Sequence, residues 1–335
     1  MTLLLSGIHG FVGSNLVSAL KAHHTIYGLD IISPEKEGVI KTYSWDELTL
    51  LPEVDTIIHL AGKAHDTKNK SEAQVYFDIN TGLTQKIFDY FLQSKTKQFI
   101  FFSSVKAAAD TIEGDCLTED VIPKPVGPYG ESKIAAENYI LSKERGIAGQ
   151  ARNDREPGRI AGDPESGSGR NDNKHVYILR PCMIHGPGNK GNLNLLYKVV
   201  SKGIPYPLGA FENKRSFTSI DNLTFIIEQL LEKNVPSGIY NISDDEPLST
   251  IELIRLIAHV MDKPVRIWDL SPKLIFWLAK IGTVIHFPLN TERMKKLTED
   301  YVVSNAKIKK ALDIKQMPVS AIEGFTKTIK SFEKK

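Results

Sequence analysis

Tyr129 and Lys133 stand four residues apart, and a phenol and an ammonium at that spacing can work together in proton transfer. On a helix, residues four apart lie one above the other on the same face. A positive charge beside a phenol favours the phenolate, so we expect Lys133 to draw the pKa of Tyr129 from ~10 toward neutrality. A general acid or base works best with a pKa near the working pH. The same spacing also occurs on ordinary solvated helix faces, so its meaning depends on the elements around it.

A glycine-rich turn follows the first apolar segment of the chain. Residues 2–6 are almost all apolar, as expected of a strand buried on both faces of a parallel sheet. Strand, turn and helix in this order make a glycine motif a dinucleotide-site prediction. Glycine permits a tight turn and close approach of the backbone to a pyrophosphate, and the helix N-terminus offers N–H groups to phosphates. The predicted cofactor-binding residues of the turn are Gly7, Gly10, Phe11, Val12 and Gly13.

Asp30 ends the next predicted strand, residues 25–30. A carboxylate at this position can accept hydrogen bonds from the adenosine ribose hydroxyls, and it repels a 2′-phosphate. The residue therefore favours NAD over NADP as the cofactor. A simple turn aspartate at a strand end is the alternative interpretation.

The composition excludes several classes of partner. The 335 residues include 42 Lys and Arg against 40 Asp and Glu, so the charge balance gives no reason to expect nucleic acid as a partner. Cys116 and Cys182 have no metal-binding spacing and form no dense disulfide framework, which is typical of a reducing compartment. The cysteine spacing also leads us to expect no metal site. The chain begins directly with a predicted core strand, so we expect no signal peptide and a cytoplasmic location.

Strands and helices alternate through the first half of the chain. Apolar runs at 54–60, 98–102 and 176–179 predict buried strands, and residues 71–93 predict a helix. The alternation predicts an α/β fold with a doubly wound parallel sheet, a Rossmann fold, whose ligands bind beyond the carboxyl ends of the strands. The strand at 98–102 delivers the pair Ser103–Ser104 to such an end.

The domain organisation follows from where this alternation stops. We predict an NAD-binding Rossmann domain at residues 1–179 and a smaller, mainly substrate-binding region at 180–335, with elements near 217–242 returning to the first domain. Residues 148–174 are rich in Gly, Arg, Asn, Asp and Ser and predict a flexible surface insertion, because they cannot offset their ordering entropy by burial.

Residues 274–287 are unusually apolar. The stretch contains Lys280 and is too short to span a bilayer, so we predict no stable membrane span. A core or lid helix is the main interpretation, and an interfacial contact with a membrane is the alternative.

Together these motifs resemble the extended short-chain dehydrogenase/reductases, in their NAD-dependent nucleotide-sugar epimerase/dehydratase family. The resemblance is to a UDP-glucose 4-epimerase-like, bacterial surface-polysaccharide subgroup. It implies NAD as cofactor, a UDP-sugar as the substrate and a homodimer. The motifs that carry it are the glycine turn, Asp30, His59–Gly62, Asn80, Ser103–Ser104, and Tyr129 with Lys133.

The resemblance also assigns roles. Tyr129 exchanges a proton with the sugar, Lys133 lowers its pKa and binds the nicotinamide ribose, and Ser104 hydrogen-bonds the reacting oxygen, although Ser103 is a neighbouring hydroxyl. Further residues are assigned to cofactor or substrate by position alone. Those near the cofactor are Leu60, Ala61, Gly62 and Asn80; Arg215 matches a residue that grips the substrate diphosphate, and Lys63, His65 and Lys106 could reach phosphate or sugar.

The reaction that this implies is 4-epimerisation of a UDP-hexose or UDP-N-acetylhexosamine, with hydride transfer at sugar C4. An NAD(P)H-dependent 4-ketoreductase of a UDP-4-keto-6-deoxy-N-acetylhexosamine is the alternative, and a non-catalytic dinucleotide-binding sensor is a third. Met183 stands where many epimerases of the family have an asparagine that contacts the nucleotide diphosphate, so another group must hold the diphosphate. Ala107–Ala109 replace a Val-Tyr-Gly run, which leaves the identity of the sugar open.

Overall fold

The computed structural model describes residues 1–64, 72–153, 174–189, 192–284, 294 and 298–333. The chain divides into two compact units. The first unit comprises Met1–Asp110, Val121–Arg180 and Asn234–Tyr240, and the second comprises Thr111–Asp120, Pro181–Lys233 and Asn241–Lys335. Of the segment near 217–242 that was predicted to return to the first domain, residues 234–240 fall in the first unit and residues 217–233 in the second.

A seven-stranded sheet has the order β3-β2-β1-β4-β5-β6-β9, and a separate two-stranded sheet pairs β7 with β8. The pairs from β3 through β6 are parallel, which confirms the predicted doubly wound α/β class. The strands are β1 Thr2–Ser6, β2 Thr25–Leu29, β3 Thr42–Tyr43, β4 Thr56–His59, β5 Gln98–Phe102, β6 His175–Pro181, β7 Met183–His185, β8 Phe217–Ser219 and β9 Gly238–Ile242.

Helices cover this sheet in the first unit and supply most of the second. In the first unit they are α1 Phe11–Leu20, α2 Ala73–Tyr76, α3 Leu83–Gln93, α4 Val105–Ala108 and α5 Gly127–Asn153, with a π-helical turn Phe77–Gly82 joining α2 to α3. In the second unit they are α6 Asn192–Ser201, α7 Ile220–Glu232, α8 Thr250–Val260, α9 Pro272–Val284, α10 Ala306–Leu312 and α11 Ala321–Glu333.

The register of the parallel strands brings their carboxyl ends into one row. Ser6 lies opposite both Leu29 and His59, and His59 lies opposite Phe101, which in turn lies opposite Ile178. The residues that follow these strands therefore emerge along one edge of the sheet, the edge at which ligands bind in open α/β sheets.

Aromatic packing fastens α3 to the sheet. Phe88, Phe91 and Phe99 are fully buried, with ring centroids 5.0–5.6 Å apart. Each such burial contributes about 1.5–3 kcal/mol. Lys174 lies over the Phe91 ring at 4.3 Å and donates three 2.8 Å hydrogen bonds, to the carbonyls of Phe91, Ser94 and Thr96. It thus ties the start of β6 to the carboxyl end of α3.

The first residues of the predicted insertion are helical. Helix α5 runs on to Asn153 and so includes residues 148–153, where Ala148, Gln150 and Ala151 are good helix formers. Residues 154–173 of the predicted insertion lie outside the described residues.

The apolar segment 274–287 differs from the predicted core helix. In α9, Ile275 is buried, but Leu274, Phe276 and Trp277 are 45%, 47% and 59% exposed. Residues 285–287 lie outside the described part of the chain. Among the described residues, no helix has the length and apolar character needed to cross a membrane.

Candidate active site

The glycine turn has the geometry that a pyrophosphate requires. Gly7 has φ +71° and donates to the Leu29 carbonyl at 2.8 Å, while Gly10 donates to the Gly7 carbonyl at 3.0 Å. A Cβ on Gly7 would lie 2.9 Å from the Ala61 nitrogen, and one on Gly13 would lie 2.8 Å from the Ile8 Cα. Side chains are therefore excluded from this cradle, as close approach of the backbone to a phosphate demands.

The N-terminus of α1 is open to an anion. Gly10 is its N-cap, and among the described residues no side chain caps it and no acidic residue occupies its first turn. The N–H groups of that turn carry a partial positive charge. Lys36, which was not predicted as a site residue, adds a positive charge there, since its Nζ donates to Ser14 Oγ at 3.0 Å. The turn fits the diphosphate of a dinucleotide.

Asp30 lies beside the glycine turn. Its Oδ2 accepts from the His9 amide at 3.1 Å and its Oδ1 from the Ile31 amide at 2.8 Å. These two bonds orient the carboxylate at the end of β2 and leave further lone pairs to accept from hydroxyl groups. The residue thus fits the ribose-binding role that favours NAD over NADP.

A buried histidine positions the loop that follows β4. The Ser6 hydroxyl accepts from the amides of Leu60 and Ala61 at 3.1 and 3.0 Å, so its proton is donated to His59 Nδ1, 2.7 Å away. His59 Nε2 then carries the ring proton and donates to Thr84 Oγ1 at 3.0 Å. Burial, and then the Lys133 charge, lowers the pKa of His59 to about 3, so the ring is neutral and structural.

Asn80 joins that loop to the helix of the predicted catalytic pair. It is fully buried in the π-helical turn, a distortion that often marks functional sites. Its side chain accepts from the Lys63 amide at 2.7 Å and donates to the Lys63 carbonyl at 3.2 Å and to Ser132 Oγ at 2.9 Å. A Cβ on Gly62 would lie 2.9 Å from Asn80 Oδ1 and 3.1 Å from Lys133 Nζ. Asn80 therefore positions the loop that follows β4 against α5.

The structure brings Ser104, Tyr129 and Lys133 together. The Tyr129 hydroxyl is hydrogen-bonded to the Ser104 side chain. Ser104 is the N-cap of α4, and its Oγ accepts from the Lys106 amide at 3.2 Å. Lys133 is buried, and its ammonium donates to the Phe102 carbonyl at 2.8 Å, at the end of β5. The end of β5 thus positions both the Ser104 hydroxyl and the Lys133 ammonium, and Tyr129 lies one turn before Lys133 on α5.

The direction of the Tyr129 shift contradicts the sequence prediction. Burial raises the pKa of Tyr129 above its ordinary value; the hydrogen bond with Ser104 lowers it, and the Tyr76 phenol, whose ring centroid is 6.5 Å away, raises it further. Burial also lowers the pKa of Lys133 to about 8, while Glu137 opposes that shift. Loss of hydration is therefore the largest influence on the pKa of Tyr129, the expected lowering by Lys133 is not found, and Tyr129 is a protonated phenol at neutral pH.

A buried ion pair that the sequence analysis missed lies beneath Lys133. Glu137 is one turn along α5, and Arg180, at the end of β6, donates to it through Nε at 3.0 and 3.2 Å and through Nη2 at 2.5 Å. Ser103 donates to the same carboxylate. The side chains of Glu137 and Arg180 are 0% and 1% exposed. The spacing of Glu137 four residues after Lys133 was the only available signal.

The two serines at the end of β5 therefore have different partners. Ser103 is bound to the buried carboxylate, whereas Ser104 is bound to the phenol. Ser103 thus supports the buried ion pair, and the contact of Ser104 with substrate stays a prediction.

Four further residues were predicted to contact the substrate. Lys106 Nζ donates to the Asp110 carbonyl and carboxylate, both at 2.9 Å, so its charge is already paired. Lys63 Nζ lies 5.5 Å from the centroid of the Tyr76 ring. Arg215 belongs to the second unit, and its predicted contact with a diphosphate stays a prediction. His65 lies outside the described residues.

Comparison with known proteins finds a matching family model and several relatives. A family model described as NAD dependent epimerase/dehydratase family matches residues 3–149, which include the glycine turn and the Tyr129–Lys133 pair. The chain is 29% identical to a UDP-glucose 4-epimerase of Vibrio cholerae over 345 residues, 99% of this chain and 95% of that protein. It is 26% identical over 322 residues to an N-acetyl-alpha-D-glucosaminyl-diphospho-ditrans,octacis-undecaprenol 4-epimerase of Escherichia coli O157:H7, covering 92% and 84% of the two chains.

A solved structure supports the fold. The UDP-glucuronic acid 4-epimerase of Bacillus cereus, in complex with NAD, superposes with a TM-score of 0.72 over 100% of this chain and 99% of that chain. At 19% identity this likeness concerns the fold alone. The glycine turn, Asp30 and the Ser104–Tyr129–Lys133 group thus lie in a chain whose residues 3–149 match the model of the NAD dependent epimerase/dehydratase family, and the glycine turn and Asp30 fit NAD as a cofactor.

Proposed function

We propose that the protein is a nucleotide-sugar 4-epimerase that acts on a UDP-hexose or a UDP-N-acetylhexosamine. The observation that carries the proposal is the hydrogen bond between Tyr129 and Ser104. The Lys133 ammonium is bound to the carbonyl of Phe102, two residues before Ser104 in the chain. Both curated relatives carry the name of a 4-epimerase, which supports C4 as the reacting carbon.

The side chains divide the work of one proton transfer. Bound NAD supplies the acceptor and the donor of the hydride. The phenolate form of Tyr129 would take the proton from the C4 hydroxyl, and the resulting phenol would return it to the C4 oxygen, while Ser104 hydrogen-bonds the same oxygen and holds it in place. Lys133 stays charged below about pH 8 and provides the positive charge that favours this phenolate when the proton leaves Tyr129.

A 4-ketoreductase is the second candidate, and the raised pKa of Tyr129 favours it. A phenol that is protonated at neutral pH is ready to donate to the oxygen of a 4-ketone. The substrate would then be a UDP-4-keto-6-deoxy-N-acetylhexosamine, reduced at the expense of NAD(P)H. The presence of both Tyr129 and Lys133 argues against a non-catalytic sensor.

A substrate panel separates the two reactions. The purified protein with NAD is offered UDP-glucose, UDP-galactose and their N-acetylated forms, together with an N-acetylglucosaminyl diphosphate carried on a polyprenol. Interconversion without net change in NADH absorbance supports the epimerase. Stoichiometric consumption of NADH or NADPH by a 4-keto sugar supports the reductase and overturns the epimerase. Turnover of the polyprenyl substrate alone overturns the nucleotide as the carrier.

Tyr129→Phe tests the role of the phenol, with Tyr139→Phe as its matched control. Tyr139 is on the same helix and donates to Asp89 at 2.6 Å, so each change deletes one hydrogen-bonded hydroxyl from α5. We expect kcat to fall about 10²–10⁴-fold for Tyr129→Phe and to stay within about threefold for the control. Undiminished turnover by Tyr129→Phe would overturn the assigned role.

A further inference from the structure

An apolar patch lies open on the second unit. It consists of Val265, Trp268, Leu274, Phe276 and Trp277, each between 45% and 59% exposed. Single exposed aliphatic residues are ordinary on protein surfaces, but two exposed tryptophans with a phenylalanine and a leucine are not. Two of the three tryptophans of the chain belong to this patch.

A buried residue, Ile275, attaches the helix of the patch to the second unit. Ile275 of α9 is 1% exposed and packs in a small cluster with Leu208 and Met294. Because each helical residue turns by about 100°, burying Ile275 places Leu274 and Phe276 on the flanks of α9 and Trp277 on its outer face. The ring of Phe276 also meets Phe211 edge-on at 6.3 Å.

Trp268 is attached to the same segment. Its amide donates to the Tyr206 carbonyl at 2.8 Å, and its carbonyl accepts from the Gly209 amide at 3.1 Å. Leu208, on which α9 packs, lies between those two residues. Trp268 and α9 are therefore two parts of one supported surface.

Positive charge surrounds the aromatic residues. Lys273 and Lys280 lie four residues before and three residues after Trp277, so all three share the outer face of α9. Lys263 and Arg266 are also exposed; Asp262 and Asp269 are the acidic residues of the stretch 262–280, leaving it a net charge of +2 by four basic against two acidic side chains.

We propose that this patch docks on the surface of a bilayer that contains anionic phospholipid. Tryptophan rings settle at the boundary between headgroups and acyl chains, and lysines beside them extend to the phosphates. An apolar face with adjacent basic residues supplies the two contributions that interfacial binding needs. The helix lies on such a surface, because 13 residues rise about 20 Å and a bilayer core needs about 30 Å.

The charges argue against a second copy of the chain as the occupant. In a two-fold dimer the same patch faces itself. Lys273 and Lys280 would then stand against lysines of the same face, whereas phosphates neutralise them. The inference concerns binding alone and does not depend on the proposed reaction.

Vesicle binding tests the proposal with the full chain. Sedimentation is measured with vesicles of phosphatidylethanolamine and phosphatidylglycerol and with vesicles of phosphatidylcholine only. We expect binding to the anionic vesicles, weakened by salt, and at least about tenfold weaker partitioning for Trp277→Ser. Ile322→Ser removes a side chain that is 58% exposed outside the patch and should bind like the wild type.

Further variants separate charge and contact. Lys273→Glu with Lys280→Glu should abolish the preference for anionic vesicles. Trp45→Phe leaves only the two patch tryptophans, whose emission should shift to the blue on binding. Absent binding, equal binding to both kinds of vesicle, or equal binding by Trp277→Ser overturns the proposal. Self-association that Trp277→Ser abolishes, without vesicle binding, assigns the patch to a second copy instead.

Discussion

Replacing Glu137 by glutamine should destabilise the protein more than any substitution at an exposed ion pair. The variant keeps the shape of the side chain but removes the charge that Arg180 faces. It also presents a donor NH₂ group to a guanidinium that has donors only. Both side chains are almost fully buried, so bulk water does not screen the interaction between them.

The size of the effect follows from the geometry. Three N–H···O contacts of 2.5–3.2 Å join the two groups. Two unit charges about 4 Å apart interact by about 4 kcal/mol at an effective dielectric constant of 20. Breaking a buried pair by removing one partner costs about 3–5 kcal/mol. We therefore expect the free energy of unfolding of Glu137→Gln to fall by about 3–5 kcal/mol.

Two controls isolate the cause. Glu53→Gln disrupts the pair with Lys95, whose side chains are 77% and 72% exposed, and should leave stability unchanged. The double variant Glu137→Leu with Arg180→Met replaces the pair by apolar groups and should recover most of the loss, since well-packed apolar replacements of buried pairs are often neutral.

Urea unfolding followed by circular dichroism measures each variant. A loss below about 1 kcal/mol for Glu137→Gln, or a double variant as unstable as the single one, would refute the reasoning. Glu137 also opposes the lowering of the pKa of Lys133, so the folded variant should lose activity at lower pH on the alkaline side.

Three more predictions concern residues of the first unit. Ser104→Ala should lower kcat about 10²-fold, whereas Ser103→Ala should lower the free energy of unfolding by about 1–3 kcal/mol with little effect on kcat; the reverse pattern in steady-state kinetics and urea unfolding would contradict the site. Asp30→Ser should weaken NAD binding about 10-fold or more and strengthen NADP binding, as measured by calorimetric titration; equal weakening of both would contradict its role. Lys174→Met should destabilise by about 1–3 kcal/mol. Burial lowers the pKa of Lys174 to about 8, below its ordinary 10.5, so the folded state favours the neutral amine. The difference in free energy of unfolding between the wild type and Lys174→Met is therefore largest above the ordinary pKa, and it decreases as the pH falls through the folded-state pKa. Urea unfolding should thus show a larger difference at about pH 9.5 than at about pH 7.

The features that local rules govern could be predicted from the sequence. The glycine turn is one, because only glycine tolerates the +71° φ of Gly7 and the contact that a Cβ on Gly13 would make. The position of Asp30 at a strand end is another. The shared face of Tyr129 and Lys133 followed from helix spacing, and α5 carries them as expected. Each of these depends on residues within a few positions of one another.

Features that depend on distant residues could not be predicted in this way. His59 positions the loop after β4 through Ser6, which is 53 residues away, and Asn80 reaches Ser132 across 52 residues. The pairing of Glu137 with Arg180 spans 43 residues. Which hydroxyl of the serine pair faces the phenol was likewise settled by the fold.

The sequence by itself determined the fold class and the spacing of Tyr129 and Lys133 on one helix face, and it predicted NAD as the cofactor. These features follow from the alternation of strands and helices, backbone conformation and helix spacing, which are local properties. The tertiary structure alone decided the state of that pair: loss of hydration around Tyr129 raises its pKa, although the lysine beside it predicts the opposite. It also decided that Leu274, Phe276 and Trp277 of α9 are exposed, whereas Ile275 between them is buried. Both outcomes depend on how much water each group retains, and the packing of distant segments controls that amount.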